Sequence, residues 1–293
     1  MVPLLLGAAA IWGISNVAEA ESNANAANKM NKEASELAQR AYNKVNTSHE
    51  RMMNVLDDLG DNKMRTSVAI GMAGEFIEDI TKVLKQNRDT KSLRELDEAG
   101  INENLLSQMH TLSQQAQQLG TNDIKQMDVS ENENAVCVFG ALGGAALGFG
   151  VVAIPAMFIY SFMKSDEAEA AYYEAKTRVD EAKVYAERCN NMSTLFNAIA
   201  TRGQQIDDLL HRLNEYFVPA VEALSQTMDN FGNNYALYNT EAKMTVHYSF
   251  QLAQTVKTIV ETSMFQEDGT INPDMDMTLE IGEQTMALLD ADK

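Results

Sequence analysis

AVCVFGALGGAALGFGVVAIPAMFIYSFM, residues Ala135–Met163, carries no charged side chain and decides how the rest of the chain is read. As a helix rising about 1.5 Å per residue it runs roughly 43 Å, longer than the ~30 Å hydrocarbon core of a bilayer. Either one long tilted span or a hairpin of two shorter helices fits that length. Gly140, Gly144 and Gly148 recur every four residues, with Ala141 and Ala145 beside them. This spacing stacks the glycines on one helix face, where a second backbone can pack closely without a hydrophobic driving force. Gly150 and Pro155 weaken the second half and are the expected hinge, as a kink or as the corner of a hairpin. Val136, Phe139, Leu142, Leu147, Phe149, Val151, Ile154, Phe158 and Ile159 are the expected lipid-facing residues. A buried core helix is the competing reading, but core helices seldom run this long without one charged flank, so membrane insertion leads.

The N-terminus, MVPLLLGAAAIWGISNVAEAES, offers a second apolar run from Val2 to Ile14. It is too short to cross a bilayer alone. A membrane-inserting or interfacial helix suits it best, with Leu4, Leu5, Leu6 and Ile11 buried and Trp12 at the headgroup level. A secretory signal competes, because Ala18-Glu19-Ala20 resembles a cleavage site, although no Lys or Arg precedes the apolar part. An internally packed helix is the third alternative.

Between and beyond these runs the chain reads as helix throughout. Ala34, Ala38, Ala41, Val45, Ser48, Met52, Val55 and Leu59 form a heptad seam, small residues first and larger ones later. Gly60-Asp61-Asn62 is an expected break, followed by a second amphipathic helix with Val68, Met72, Phe76, Ile80 and Leu84 inward. Asn87–Asn104 reads as a connector, and a short helix near Leu105–Leu119 ends at Gly120-Thr121-Asn122-Asp123. After Met163, Ala168, Ala175, Ala182, Cys189, Phe196, Leu210 and Phe217 keep a seven-residue register that Gly203 interrupts. Tyr172, Val179, Ala186, Ile199, Ile206 and Leu213 supply the second seam. Pro219 is expected to kink or end this helix, unless it opens a further segment. A helix from about Asn234 to Met264, with Ala242, Val246, Phe250, Ala253, Val256 and Val260 inward, and a last helix near Met275–Leu289 complete the chain. The alanine-rich parts of the two long helices are expected to pair closely and antiparallel. The apolar run between them then turns back between Gly148 and Pro155.

Composition agrees with an all-α protein: 293 residues hold only 4 prolines and 7% aromatics. The net charge of −19 argues against nucleic acid and against electrostatic docking on anionic lipid, so any membrane attachment is hydrophobic. Cys137 and Cys189 make neither a disulfide framework nor a metal site and read as packing residues. No phosphate loop, dinucleotide fingerprint or nucleophile elbow is present. His49, His110, His211 and His247 stand isolated, and Asp268, Asp274, Asp276 and Glu280 lack the spacing of a calcium loop. The expectation is therefore no catalytic site, no metal, no cofactor and no small-molecule substrate.

GAAAIWGI, ELAQRAYNKV and LAQTVKTIVETSMFQEDGTI (residues 7–14, 36–45 and 252–271) resemble a set of poorly characterised bacterial membrane proteins, in which an apolar N-terminus leads into an alanine-rich coiled coil with a glycine-rich centre. In layout, the chain also resembles the α-helical pore-forming toxins of the cytolysin A and haemolysin BL type. There a hydrophobic hairpin held between long helices inserts when the soluble form opens, and Ala135–Met163 occupies the matching place. Four regions follow: an apolar membrane-active helix (1–19), a first helical half (20–134), the glycine-rich segment (135–163) and a second helical half (164–293). The expectation is an elongated bundle of long paired helices that inserts in a membrane, oligomerises with itself or related helical subunits, and permeabilises the bilayer. The resemblances imply a membrane-associated and bacterial setting, with a secreted soluble form as one possibility. The rival function is a membrane-anchored coiled-coil scaffold without pore activity.

Overall fold

A computed structural model describes the backbone of residues 4–127, 168–266 and 271–291, and the side chains of residues 23–123, 172–266 and 271–291. Ala135–Met163 and its glycines lie outside the described residues. The described chain is all-α: α1 (Leu4–Gln86), α2 (Thr90–Glu98), α3 (Glu103–Gln114), α4 (Ala116–Met127), α5 (Ala168–Phe231), α6 (Thr240–Glu261) and α7 (Asp274–Ala291). A 3₁₀ turn at Tyr235–Leu237 and one isolated bridge, Phe265 with Ile271, are the other regular features among these residues.

Two compact units emerge, one drawn from Met1–Met52 and Gly143–Ala198, the other from Met53–Leu142 and Ile199–Lys293. In the first unit α1 and α5 run side by side. Ala34, Ala38, Ala41, Val45, Ser48 and Met52 are buried, as are Ala175, Ala182, Ala186, Cys189 and Phe196, which is the expected heptad seam.

The direction of the pair differs from the expectation. Asn31 accepts from Arg178, and Lys44 donates to Asn190 at 2.9 Å. The Ser48 and Ser193 hydroxyls meet at 2.6 Å, and Arg51 donates to Asn197 at 3.1 Å. Partner numbers rise together, 145 to 147 residues apart, so the helices are parallel, whereas antiparallel helices would hold a constant sum. Both seams grow from alanine to large residues along the chain, and parallel packing sets small against small.

The second unit has a deeper core, with Leu56, Leu59, Ile70, Ile77, Ile80, Leu84, Phe217 and Phe250 fully buried. Here α1 is continuous through Gly60-Asp61-Asn62, where a break was expected. A Cβ on Gly60 would stand 2.0 Å from the Gly120 carbonyl oxygen, so Gly60 is kept side-chain-free for the approach of α4. Asn62 donates to Asp207 at 2.9 Å and accepts from Asn214, which ties α1 to α5. Gly203 lies within the unbroken α5, and a Cβ there would stand 2.9 Å from a Val55 methyl, so the close approach to α1 needs glycine. Pro219 sits inside α5, which continues to Phe231 and stops at Gly232, where φ is +70°.

Further corrections follow helix geometry. Val68 and Met72, expected inward, are each 47% exposed, while Ile70, Ala73, Ile77, Ile80 and Leu84 form the buried face. Steps of four drift by about 40° per step around a helix of 3.6 residues per turn, whereas alternating threes and fours hold one face. The expected connector contains α2, capped at its N-terminus by Asp89, whose carboxylate accepts from the Ser92 amide at 3.1 Å and hydroxyl at 2.7 Å. Those bonds hold the Asp89 carboxyl below its ordinary range. The expected short helix is two, α3 and α4, and Gly120–Asp123 lies within α4 rather than ending it. The 234–264 helix begins at Thr240, preceded by the 3₁₀ turn, and its expected inward residues are all buried.

The parallel register has a direct check. Ser48→Cys with Ser193→Cys should close an internal disulfide under mild oxidation, read as a mobility change on a non-reducing gel. Antiparallel helices would leave the pair unlinked.

Candidate functional site

Parallel packing gives the first unit one end that carries both N-termini. Carried back along α5, the offset of 147 residues between Asn31 and Arg178 sets Ala168, the first residue of α5, level with Glu21 of α1. The turns of α1 before Glu21 contain Leu4–Ile14, and Met163, the last residue of the central apolar run, precedes Ala168 by five positions. Both apolar stretches therefore lead to the same end of the same helix pair.

Below that end the packing is polar at its edges and fine-grained at its centre. The Arg178 side chain lies across the pair, bonded to Glu174 on its own helix and to Asn31 opposite. Tyr172 and Tyr173 meet edge to face at 5.7 Å, and Tyr173 is 62% exposed. Burial pushes the Tyr185 phenol well above its ordinary value, with its hydrogen bond to Cys189 adding to the effect. Burial also raises the Cys189 thiol, which keeps it protonated and a packing group rather than a nucleophile. Ser48 closes a small buried network: it donates to the Lys44 carbonyl, meets Ser193, and accepts from Asn197 at 3.1 Å.

Of the residues expected to enter a membrane, Leu4, Leu5, Leu6, Ile11 and Trp12 lie on the first turns of the α1 backbone, and their side chains are outside the described ones. Val136, Phe139, Leu142, Leu147, Phe149, Val151, Ile154, Phe158 and Ile159 lie outside the described residues altogether, as do Gly140, Gly144, Gly148, Gly150 and Pro155. Among the described residues no helix is long and apolar enough to cross a membrane. No group of His, Cys, Asp and Glu among them is arranged to hold a metal ion.

No protein-family model, curated protein or solved structure matches this chain.

In the second unit a polar cluster missed by sequence reasoning joins α2 to α6. Lys243 donates to Glu95 at 2.6 Å and stands 4.6 Å over the ring of Tyr235. The Tyr235 hydroxyl meets His247 Nε2 at 2.8 Å with the rings stacked. Burial pushes Tyr235 up to about 12, so its hydroxyl keeps its proton, and the His247 tautomer sets which of the two groups donates. The bond from Lys243 holds Glu95 below its ordinary range. Burial, and then the Lys243 charge, lower His247 from its ordinary 6.5. His247 and Lys243 are four residues apart on one helix, a spacing the sequence displays, but only the fold brings Tyr235 and Glu95 to them. An open groove of about 650 Å3 lies elsewhere in this unit, where Thr81 and Lys85 face Leu93, Asp97, Ile101 and Leu106. Lys85 is paired there with Glu103.

The lowered His247 value sets a pH dependence. The unfolded chain takes up this proton near pH 6.5 and the folded chain only at lower pH. The stability that His247 contributes is complete above that value and is lost as pH falls through it. Urea midpoints should therefore drop between pH 7.5 and 5.5, and His247→Gln should flatten that slope.

Proposed function

We propose that this chain is a membrane-inserting helical protein that oligomerises in or on a bilayer and permeabilises it. The observation that carries the reading is the parallel register of α1 and α5, which leads both apolar stretches to one end of one helix pair. Two anchors at one end enter the same leaflet together, and their free energies add. Each large apolar side chain removed from water contributes roughly 1.5–3 kcal/mol. Leu4, Leu5, Leu6, Ile11 and Trp12 are one such anchor, and Ala135–Met163 is the other, as a hairpin or a span.

The partner is the bilayer itself, bound through hydrophobic contact because a chain of net charge −19 gains nothing from anionic headgroups. The ridge Gly140, Gly144 and Gly148 is the helix–helix contact through which copies of the chain assemble. This fits the layout of the α-helical pore-forming toxins.

Vesicles of neutral phosphatidylcholine loaded with a self-quenched dye test the proposal. The intact chain should float with the vesicles and release the dye, with little dependence on salt. Removal of residues 2–14 should weaken binding at least about tenfold, since the burial of one large side chain is already worth that factor. Flotation without leakage would favour a membrane-anchored scaffold, and failure to float would overturn the reading.

A further inference from the structure

The second unit holds one ion pair unlike the surface pairs around it. The Lys63 and Asp123 side chains are only 3% and 7% exposed, and Lys63 Nζ lies 3.1 Å from Asp123 Oδ2. Lys63 also donates to the Thr262 carbonyl at 2.8 Å. The other oxygen, Asp123 Oδ1, accepts from the Ser263 hydroxyl and from the Met264 amide, each at 3.0 Å. One carboxylate of α4 thus binds the middle of α1 and the chain just after α6.

Few other described side chains of α4 are buried: among residues 116–123, only Ala116 joins Asp123. Gly120 adds a close approach to α1, lying against the Gly60 backbone and the Met64 side chain. A segment with so few buried side chains as residues 116–123 opens at low cost once its polar anchor goes. Loss of one member of a buried pair also leaves the other charge uncompensated, which strongly favours opening. α4 is the last described helix before Ala135–Met163.

We infer that Asp123 is a clasp: its bonds to Lys63, Ser263 and Met264 keep α4 docked, and breaking them frees α4 and promotes membrane binding of the chain. The membrane half rests on the function proposed above, whereas the release of α4 does not.

Hydrogen exchange read by mass spectrometry on the full chain, with flotation on neutral phosphatidylcholine vesicles, tests both halves. Asp123→Asn keeps the shape and removes the charge. Exchange over residues 116–127 should rise about tenfold or more while residues 246–260 of α6 stay protected, and the vesicle-bound fraction should rise. Ser263→Ala removes one donor and should give a smaller rise in the same place, which decides the matter if Asp123→Asn fails to fold. Unchanged exchange in α4, or equal loss of protection in α4 and α6, overturns the clasp. Raised exchange in α4 with no vesicle binding by variant or parent supports the clasp and overturns the membrane reading.

Discussion

The parallel packing of α1 and α5 is the constraint on which the rest depends. Parallel neighbours cannot be joined by a short turn, so the chain between them has to travel back. In the second unit that return is visible: Gly74 of α1 lies by Met109, Gly71 by Ser113 and Gly60 by Gly120, numbers falling as they rise. α3 and α4 therefore run antiparallel to α1. The same constraint accounts for the order of residue sizes along both seams. Alanine meets alanine in the first unit, and in the second the large side chains Leu56, Leu59 and Phe217 share one core.

Those two packings differ in strength. A buried alanine contributes one methyl group, worth about 0.8 kcal/mol, against 1.5–3 kcal/mol for leucine, isoleucine or phenylalanine. The described seam of the first unit is built of six alanines with Val45, Met52, Cys189 and Phe196, together with Ser48 and Ser193, which use hydrogen bonds where apolar bulk would otherwise sit. Such a seam fixes register more than it adds stability. The second unit reverses the balance, and polar groups there tie helix to helix: buried Lys63 pairs with Asp123, and half-buried Asn62 bonds Asp207 and Asn214. One acceptor there, Asn214 Oδ1, has no protein partner, a local cost the deep core absorbs.

Much of this was legible in the sequence. The heptad positions from Ala34 to Leu59, the α5 seam from Ala182 onward and the inward face of α6 are buried as their spacing requires, while Tyr172 and Val179 are half-buried. Two of the differences come from glycine. Gly60 and Gly120 carry the local signal of helix breaks, although a glycine every turn in Ala135–Met163 has the signal of a place for helices to touch. Glycine in a water-soluble helix costs helix propensity, about 1 kcal/mol, and that cost hides its use for close approach until the partner helix is seen. Asp123 was lost the same way: next to Gly120, Thr121 and Asn122 it looks like a turn residue, and nothing local announces Lys63, sixty positions earlier. Helix direction is not fixed by the small-to-large order of the two seams, and it shows only in the cross-helix hydrogen bonds. The candidate site was legible only as composition, since its geometry comes from the register of α1 against α5.

The chain has a single tryptophan, Trp12, inside the N-terminal apolar run. Its fluorescence reports on the proposed membrane-entering end without any substitution. On addition of neutral phosphatidylcholine vesicles the account predicts a blue shift of the emission and quenching by lipids brominated near the glycerol end of the acyl chain. Emission that keeps its wavelength and resists brominated lipid while the chain floats with vesicles would contradict it.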